Sequence, residues 1–349
     1  MDKITDNLFN KKKSISINDI AKLAGVSKST VSRILNEKGK FSKDTIDKVL
    51  QVVKKLNYHP SMVARSLRNR RTKAVGLLLP DIVNPFFPQV MKGVEDVASE
   101  NGYVVVLCSS NEDSEKEFMY FHMFENRWID GIIYSGVTGT KEEAQNIRVI
   151  LEQEIPVVLM DREIEDYFAS VVMIDNEKAA YDATTYCLEL GHKRIGFIAA
   201  PLKVRIFAKR LEGYRKALQK YGIEFDEKLV VEGDLTIKSG GTASKELLAR
   251  KDPPTAIFTS NDLMAIGAMK EIQADGLKVP ESISIIGFDD IPMASLVTPA
   301  LTTIAQPKYE MGVEAMNLLI RMIEKKGASK SKVVLDTQLV VRESTKRLI

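Results

Sequence analysis

Cysteine, histidine and tryptophan are scarce in this chain. Cys108 and Cys187 are its two cysteines in 349 residues; both lie in apolar contexts and make no CxxC pair. They read as buried thiols in preference to a disulfide, a redox pair or a metal site. The three histidines, His59, His122 and His192, stand in no nucleophile or metal-ligand spacing, and neither GxSxG nor GxxxxGKS/T occurs. Hydrolase and nucleotide-phosphate chemistry therefore have no motif to rest on, and the chain is expected to be no enzyme and to need no cofactor or metal. No run of eighteen apolar residues is present, which excludes a membrane-spanning helix, and the opening MDKITDNLFNKKK lacks the apolar block of a secretory signal. The expected location is the cytoplasm.

Charge is plentiful but unevenly placed. Residues 1–73 carry 18 Lys or Arg against 6 Asp or Glu, a net of +12, and the remainder 32 against 41, a net of −9, which together make the overall +3. A concentrated positive field on a small N-terminal piece suits a phosphate backbone, and an acidic bulk disfavours wrapping nucleic acid around the whole molecule. With 44% apolar residues the chain can bury a large core, and its length accommodates two or three domains.

The basic piece has an internal order. INDIAKLAGVSKSTVSRILN, residues 17–36, reads as two short helices that meet at Gly25. Ile17, Ile20, Ala21, Leu23 and Ala24 form one apolar stripe and Val31, Ile34 and Leu35 another, so the two helices can share a seam. Ser16 and Ser27 stand where N-caps belong. Lys28, Ser29, Ser32 and Arg33 are left on the outward face, small, polar and basic as a helix in the major groove requires. An ordinary helical hairpin with a solvated face fits the same pattern. A third amphipathic helix follows Ser42, with Ile46, Val49, Leu50, Val53 and Leu56 on one side, and ends by Tyr58 and Pro60. The polar residues 1–14 read as a flexible extension.

The wording of DIAKLAGVSKSTVSRILN resolves the choice, because it closely resembles the headpiece of the lac repressor family of bacterial transcription regulators, and the resemblance runs on to about Thr345. It implies base readout by Lys28, Ser29 and Arg33, and backbone contacts by Ser16, Asn18, Ser27 and Thr30. Residues 1–60 would be the DNA-binding domain. Residues 61–73, SMVARSLRNRRTK, read alone as a basic linker too short to hold as an isolated helix. The resemblance implies a hinge helix that forms on the operator, with Leu67 wedged in the minor groove between Arg65 and Arg68.

From Ala74 short β-branched runs alternate with amphipathic stretches: AVGLLLP, YVVVLCS, DGIIYSG, PVVLMD and SVVMID, then RIGFIAA, KLVVEGD, TAIFTS and SISIIGFDD. Such runs predict parallel sheets covered on both faces, in two sets and hence two lobes, with ligands bound beyond the strand ends. Residues 74–340 resemble the periplasmic sugar-binding proteins, which implies chain crossovers near 175 and 302. The expected first lobe is about 74–174 plus 305–349, completed by VVLDTQLVV, and the second about 175–304. The elements VNPFF, MDR, RLEGY, ND, GFD and TIAQ match the ribose-binding members. Residue by residue they imply an effector set of Asn84, Phe86, Phe87, Asp161, Arg162, Arg210, Asn261, Asp289 and Gln306. LLLPDIVNPFFPQ and GFDDIPMASLVTPALTTIAQP look like ribose repressors in particular, although Leu235 stands where those sugar binders often carry an aromatic ring.

The expected molecule is thus an α/β protein: a two-lobed parallel-sheet sensor of periplasmic-binding-protein type behind an all-α helix-turn-helix domain. It would act as a homodimeric repressor, with a palindromic double-stranded operator and a small effector, a pentose, as partners and no membrane contact. A regulator answering to a phosphorylated carrier protein, or to another monosaccharide, a sugar acid or a purine, is the alternative.

Overall fold

A computed structural model of the chain describes residues 15–35, 39–58, 71–111, 113–125, 128–136, 150, 155–161, 169–324 and 331–348. They fall into two compact units that divide after Thr72. The first holds α1 (Ile17–Ala24), α2 (Lys28–Ile34) and α3 (Lys43–Lys55). Ser16 enters α1 in extended backbone, and its amide and hydroxyl both donate to the Asp19 carboxylate, at 2.9 and 2.6 Å. Gly25 ends the helix in the left-handed region (φ +64°), which a side chain would resist. Ser27 Oγ then accepts from the Thr30 amide (3.1 Å), and Ser42 Oγ from that of Thr45 (3.3 Å). Ile20, Ala21, Val31, Ile34, Val49 and Leu56 are buried at the centre of this small bundle. Leu23 and Leu50, expected inside, are 36% and 48% exposed, because short helices bury only the narrow stripe that faces their neighbours.

The second unit contains two six-stranded sheets. The first lobe is built on β1 (Ala74–Leu79), β2 (Val104–Ser109), β3 (Gly131–Tyr134), β4 (Val157–Met160), β5 (Ser170–Ile174) and β11 (Lys332–Leu335), in the order β11-β5-β4-β3-β1-β2 and parallel throughout. The second is built on β6 (Ile195–Ala199), β7 (Val230–Glu232), β8 (Ala256–Thr259), β9 (Ser284–Asp289), β10 (Thr302–Ala305) and β12 (Gln338–Val340), in the order β12-β10-β9-β8-β6-β7. All its pairs are parallel but β10–β12. The central strands are buried along their length, as runs covered on both faces must be. Edge strand β2 departs from this, with Val104, Val106 and Leu107 exposed.

The expected lobe boundary is corrected at its C-terminal part. VVLDTQLVV does not stay in one lobe: β11 joins β5, the chain crosses over at Asp336 and Thr337, and β12 lies antiparallel beside β10. Residues beyond β12 are held by the second lobe, through Arg342 Nη1 on the Leu301 carbonyl (2.8 Å), Ser344 Oγ on the Ile285 carbonyl (2.6 Å) and the Leu348 amide on the Leu190 carbonyl (2.8 Å). The other crossings lie between β5 and α6 (Asn176–Glu189), and between β10 and α10 (Lys308–Glu324), so the second falls after Ala305 rather than near 302.

Helices cover the sheets in closely seated pairs. On the first lobe α4 (Phe86–Glu100) crosses α10 where Gly93 faces the Tyr309 carbonyl and Gly312 faces that of Val90; a Cβ at either would collide with backbone. On the second lobe α6 pairs with α7 (Arg205–Lys220), and α8 (Ile237–Leu248) with α9 (Asp262–Ala274). Helix α5 (Ser114–Glu125) buries Phe121 and Phe124 and exposes Phe118, Met119 and Met123. Among the described residues no helix is long and apolar enough to cross a membrane.

Candidate functional site

The C-terminal ends of the strands of both lobes face a shared cavity of about 760 Å3. From the first lobe come Asp81, Asn84, Phe86, Phe87, Asn111, Ser135 and Asp161; from the second Arg210, Asp234, Leu235, Lys238, Asn261 and Asp289; Gln306, at a crossover, lies between them. Phe86 and Phe87 open α4 edge to face, with ring centroids 5.0 Å apart and planes at 88°. Asn84 Oδ1 accepts from the Phe86 amide (3.0 Å), so the asparagine sets the helix start that presents the rings.

A chain of buried polar groups runs behind this wall. Asp161 Oδ1 accepts from Asn176 Nδ2 (3.1 Å), and Asn176 Oδ1 accepts from Arg210 Nε (2.8 Å). Arg210 also donates through Nη1 to the Ser260 carbonyl and lies over the Phe288 ring, its Cζ 3.6 Å from the centroid. Arg210 is 2% exposed, and for its guanidinium bonds and a π face replace the water it has lost. Across the cavity Gln306 Nε2 donates to Asp289 Oδ1 (2.7 Å). Gln306 Oε1 is buried with no hydrogen-bond partner among the described residues, which leaves an acceptor for a ligand hydroxyl. Burial pushes the Asp289 carboxyl up to about 6, against the opposing pull of the Arg210 cation, the Gln306 amide and the Lys308 ammonium. Asp262, wholly buried at the start of α9, is also raised well above the usual carboxylate range, by burial first and the Asp289 charge second. Its oxygens accept from Thr303 Oγ1 (2.6 Å) and the Ile291 amide (2.8 Å).

Backbone strain gathers at the same place. Asn111 (φ +53°), Asp161 (+52°), Leu235 (+70°) and Asp289 (+111°) all line the cavity in the left-handed region, and Asp290 (+53°) adjoins it. Asparagine and aspartate tolerate the narrow left-handed well better than leucine, so Leu235 is held there at a cost, and Asp289 lies beyond that well altogether.

Eight residues of the effector set meet around one cavity, while Arg162 lies outside the described residues. Asn261 does so with both ends engaged: Oδ1 accepts from the Met264 amide (2.9 Å) and Nδ2 donates to the Leu235 carbonyl (3.0 Å), so it caps α9 and braces the strained loop. Asn176 and Lys308 escaped the reading of the sequence. Asn176 follows the strand end of SVVMIDN and Lys308 opens a helix, and neither lies in the motifs that implied the effector set.

On the headpiece Ser16, Asn18, Ser27, Lys28, Ser29 and Arg33 are exposed and Thr30 half-buried. Ser29 Oγ lies 2.7 Å from Ser27 Oγ. The Arg33 guanidinium folds against Gly39 with its Cζ 5.7 Å from the Phe41 ring centroid, so the loop after α2 orients it. Arg65, Leu67 and Arg68 lie outside the described residues.

Comparison with known proteins agrees with this organisation. Residues 16–61 match the family described as bacterial regulatory proteins, lacI family, and residues 184–345 a periplasmic binding protein-like domain. The ribose operon repressor of Halalkalibacterium halodurans is 39% identical over 331 residues, covering 95% of this chain and 97% of that protein. Catabolite control protein A of Priestia megaterium is 36% identical over 334 residues, covering 95% and 100%. Among solved structures, the lac repressor dimer bound to operator and the anti-inducer ONPF superposes with a TM-score of 0.86 at 27% identity, covering 96% of this chain and 100% of that one. With a helix-turn-helix headpiece, a two-lobed sensor and full-length relatives that are regulators and not enzymes, the chain belongs to the lacI family of DNA-binding bacterial transcription regulators.

Proposed function

We propose that this chain is a homodimeric repressor whose hold on a palindromic operator is set by a pentose, ribose or a close relative, bound between the lobes. The observation that carries the reading is the cavity itself. Its volume of about 760 Å3 falls in the range of small-molecule sites, and it joins a pair of phenyl rings to carboxylates, an amide acceptor and a guanidinium drawn from both lobes. Phe86 and Phe87 cover the apolar face of the ring, while Asp289, Gln306 and, on the sequence match, Arg162 engage hydroxyls. Asp161 and Arg210 orient that set through Asn176. The cavity is larger than a pentose, so the lobes close on the sugar by turning at their three crossovers, and that motion alters the spacing of the two headpieces.

On DNA, Lys28, Ser29 and Arg33 read bases and Ser16, Asn18, Ser27 and Thr30 hold the backbone, with residues 61–73 forming the hinge helix in which Leu67 is the wedge. The apolar side chains left exposed on β2 and α5, among them Val104, Leu107, Phe118 and Met119, support a second copy as their cover.

A panel of monosaccharides, sugar acids and purines, read by thermal melting, tests the ligand. Ribose at a hundred times its dissociation constant adds about 2.7 kcal/mol of stability, and Asp289→Ala abolishes the shift while sparing operator binding. No movement with ribose but a clear one with a hexose, a sugar acid or a purine rejects the pentose and leaves the regulator. The similarity to catabolite control protein A supports a second reading, in which a phosphorylated carrier protein is the signal; its capture from cell extract only when phosphorylated would favour it.

A further inference from the structure

Lys308 does not line the cavity, yet it acts on the carboxylate that does. It opens α10, a helix packed on α4 and on β3, β4 and β5 of the first lobe, but its ammonium reaches the second lobe. Nζ donates to the carbonyls of Asp289 (2.5 Å) and Asp290 (2.8 Å), and the residue is 5% exposed. Lysine is almost never buried so deeply unless it is paired. Here its direct partners are two backbone oxygens, at the point where β9 ends in consecutive left-handed residues (φ +111° and +53°). Such a conformation persists only where the surroundings hold it. Arg342 Nη2 steadies the outer residue through Asp290 Oδ1 (2.7 Å), while Lys308 grips the backbone of both.

We propose that Lys308 is a positioning residue for effector recognition: by holding the carbonyls of Asp289 and Asp290 from the opposite lobe, it fixes the setting and the charge of the Asp289 carboxylate in the cavity. The proposal rests on the reading of that cavity as the effector site. Geometry supplies the first half, since the grip determines where the left-handed turn aims its side chain. Charge supplies the second. Asp289 is faced by Arg210 on α7, Lys308 on α10, Asp161 after β4 and Asp262 on α9; Lys308 is faced by Asp289, Asp290, Asp262 and Glu310. Removing the ammonium takes away one of the two cations that keep the Asp289 carboxyl from rising further. Because donor and acceptors belong to different lobes, a turn at the crossovers passes directly into the setting of Asp289.

The test compares full-length wild type, Lys308→Arg and Lys308→Met, with Lys308→Gln in reserve should the methionine variant not fold. Two quantities are followed from about pH 4 to about pH 9: ribose affinity by calorimetry, and, without sugar, the pH at which the fall in each protein's melting temperature relative to its Asp289→Asn derivative levels off. Lys308→Met should move the sugar-free transition to higher pH and weaken ribose about tenfold at pH 7, the scale of one charge-assisted hydrogen bond, and Lys308→Arg should restore both. A methionine variant with the wild-type transition overturns the proposal. So does an arginine variant as damaged as the methionine one, since packing and not donors or charge would then matter. Should ribose bind none of the proteins, the pentose reading falls and the sugar-free transition still decides on Lys308.

Discussion

Asp289→Asn should raise the stability of the sugar-free protein at high pH while destroying its response to sugar. The Asp289 carboxyl titrates at about 6 in the folded chain, against about 3.9 for an unperturbed aspartate, so the folded state holds the proton more tightly. The stability that follows is fully present below the unfolded value and is lost as pH rises through about 6. A gap of about two pH units corresponds to about 3 kcal/mol in the full limit. Asparagine resembles the protonated acid at every pH and keeps an oxygen for the Gln306 amide that donates at 2.7 Å. Relative to Asp289→Asn, wild type should therefore lose about 2 to 3 kcal/mol between pH 4 and pH 8. Urea unfolding followed by circular dichroism at the two pH values measures the difference, in which pH-independent effects of the substitution cancel. A change below about 1 kcal/mol, or one of opposite sign, would refute the argument that burial outweighs Arg210 and Lys308 at this carboxylate.

Two further outcomes follow from other parts of the molecule. Gly312→Ala places a methyl group against the Val90 carbonyl and must push α4 and α10 apart; a loss of about 1 to 3 kcal/mol is expected in thermal melts, and an unchanged midpoint would mean that the helices slide freely. Arg33→Ala should lose about 1 to 3 kcal/mol on the preferred operator and relax one position per half-site, whereas an equal loss on random-sequence DNA in gel shifts would reduce Arg33 to a phosphate contact.

Much of the architecture was legible because its signals are local. AVGLLL, GIIY, VVLM and SIIGFD form strands buried on both faces, and such strands must be written as unbroken apolar runs. The cavity residues were legible through the family motifs MDR, ND and GFD; Asp161, Asn261 and Asp289 stand at or just past the ends of apolar strands, where ligands of parallel sheets bind. The partition of VVLDTQLVV was not legible, since local composition cannot tell which of two sheets offers the free edge. That choice was made by β5 and β10, both remote in sequence. Lys308 was hidden for the opposite reason. In the first turn of an amphipathic helix a lysine is ordinarily solvated, and only the fold brings β9 over it.

The weaving of the chain between lobes constrains how it is made. The first sheet waits for β11 and for the core side chains of α10, among them Met311, Met316 and Leu319; the second waits for β12 and the anchors at Arg342 and Ser344. A nascent chain halted before Lys308 holds two unfinished sheets: the first lacks β11 and the helix that covers it, and the second lacks its edge strand β12. Neither lobe can close as a unit while the ribosome is still translating residues 308–344, so the headpiece, complete by Leu56, emerges and folds long before the sensor that is to govern it.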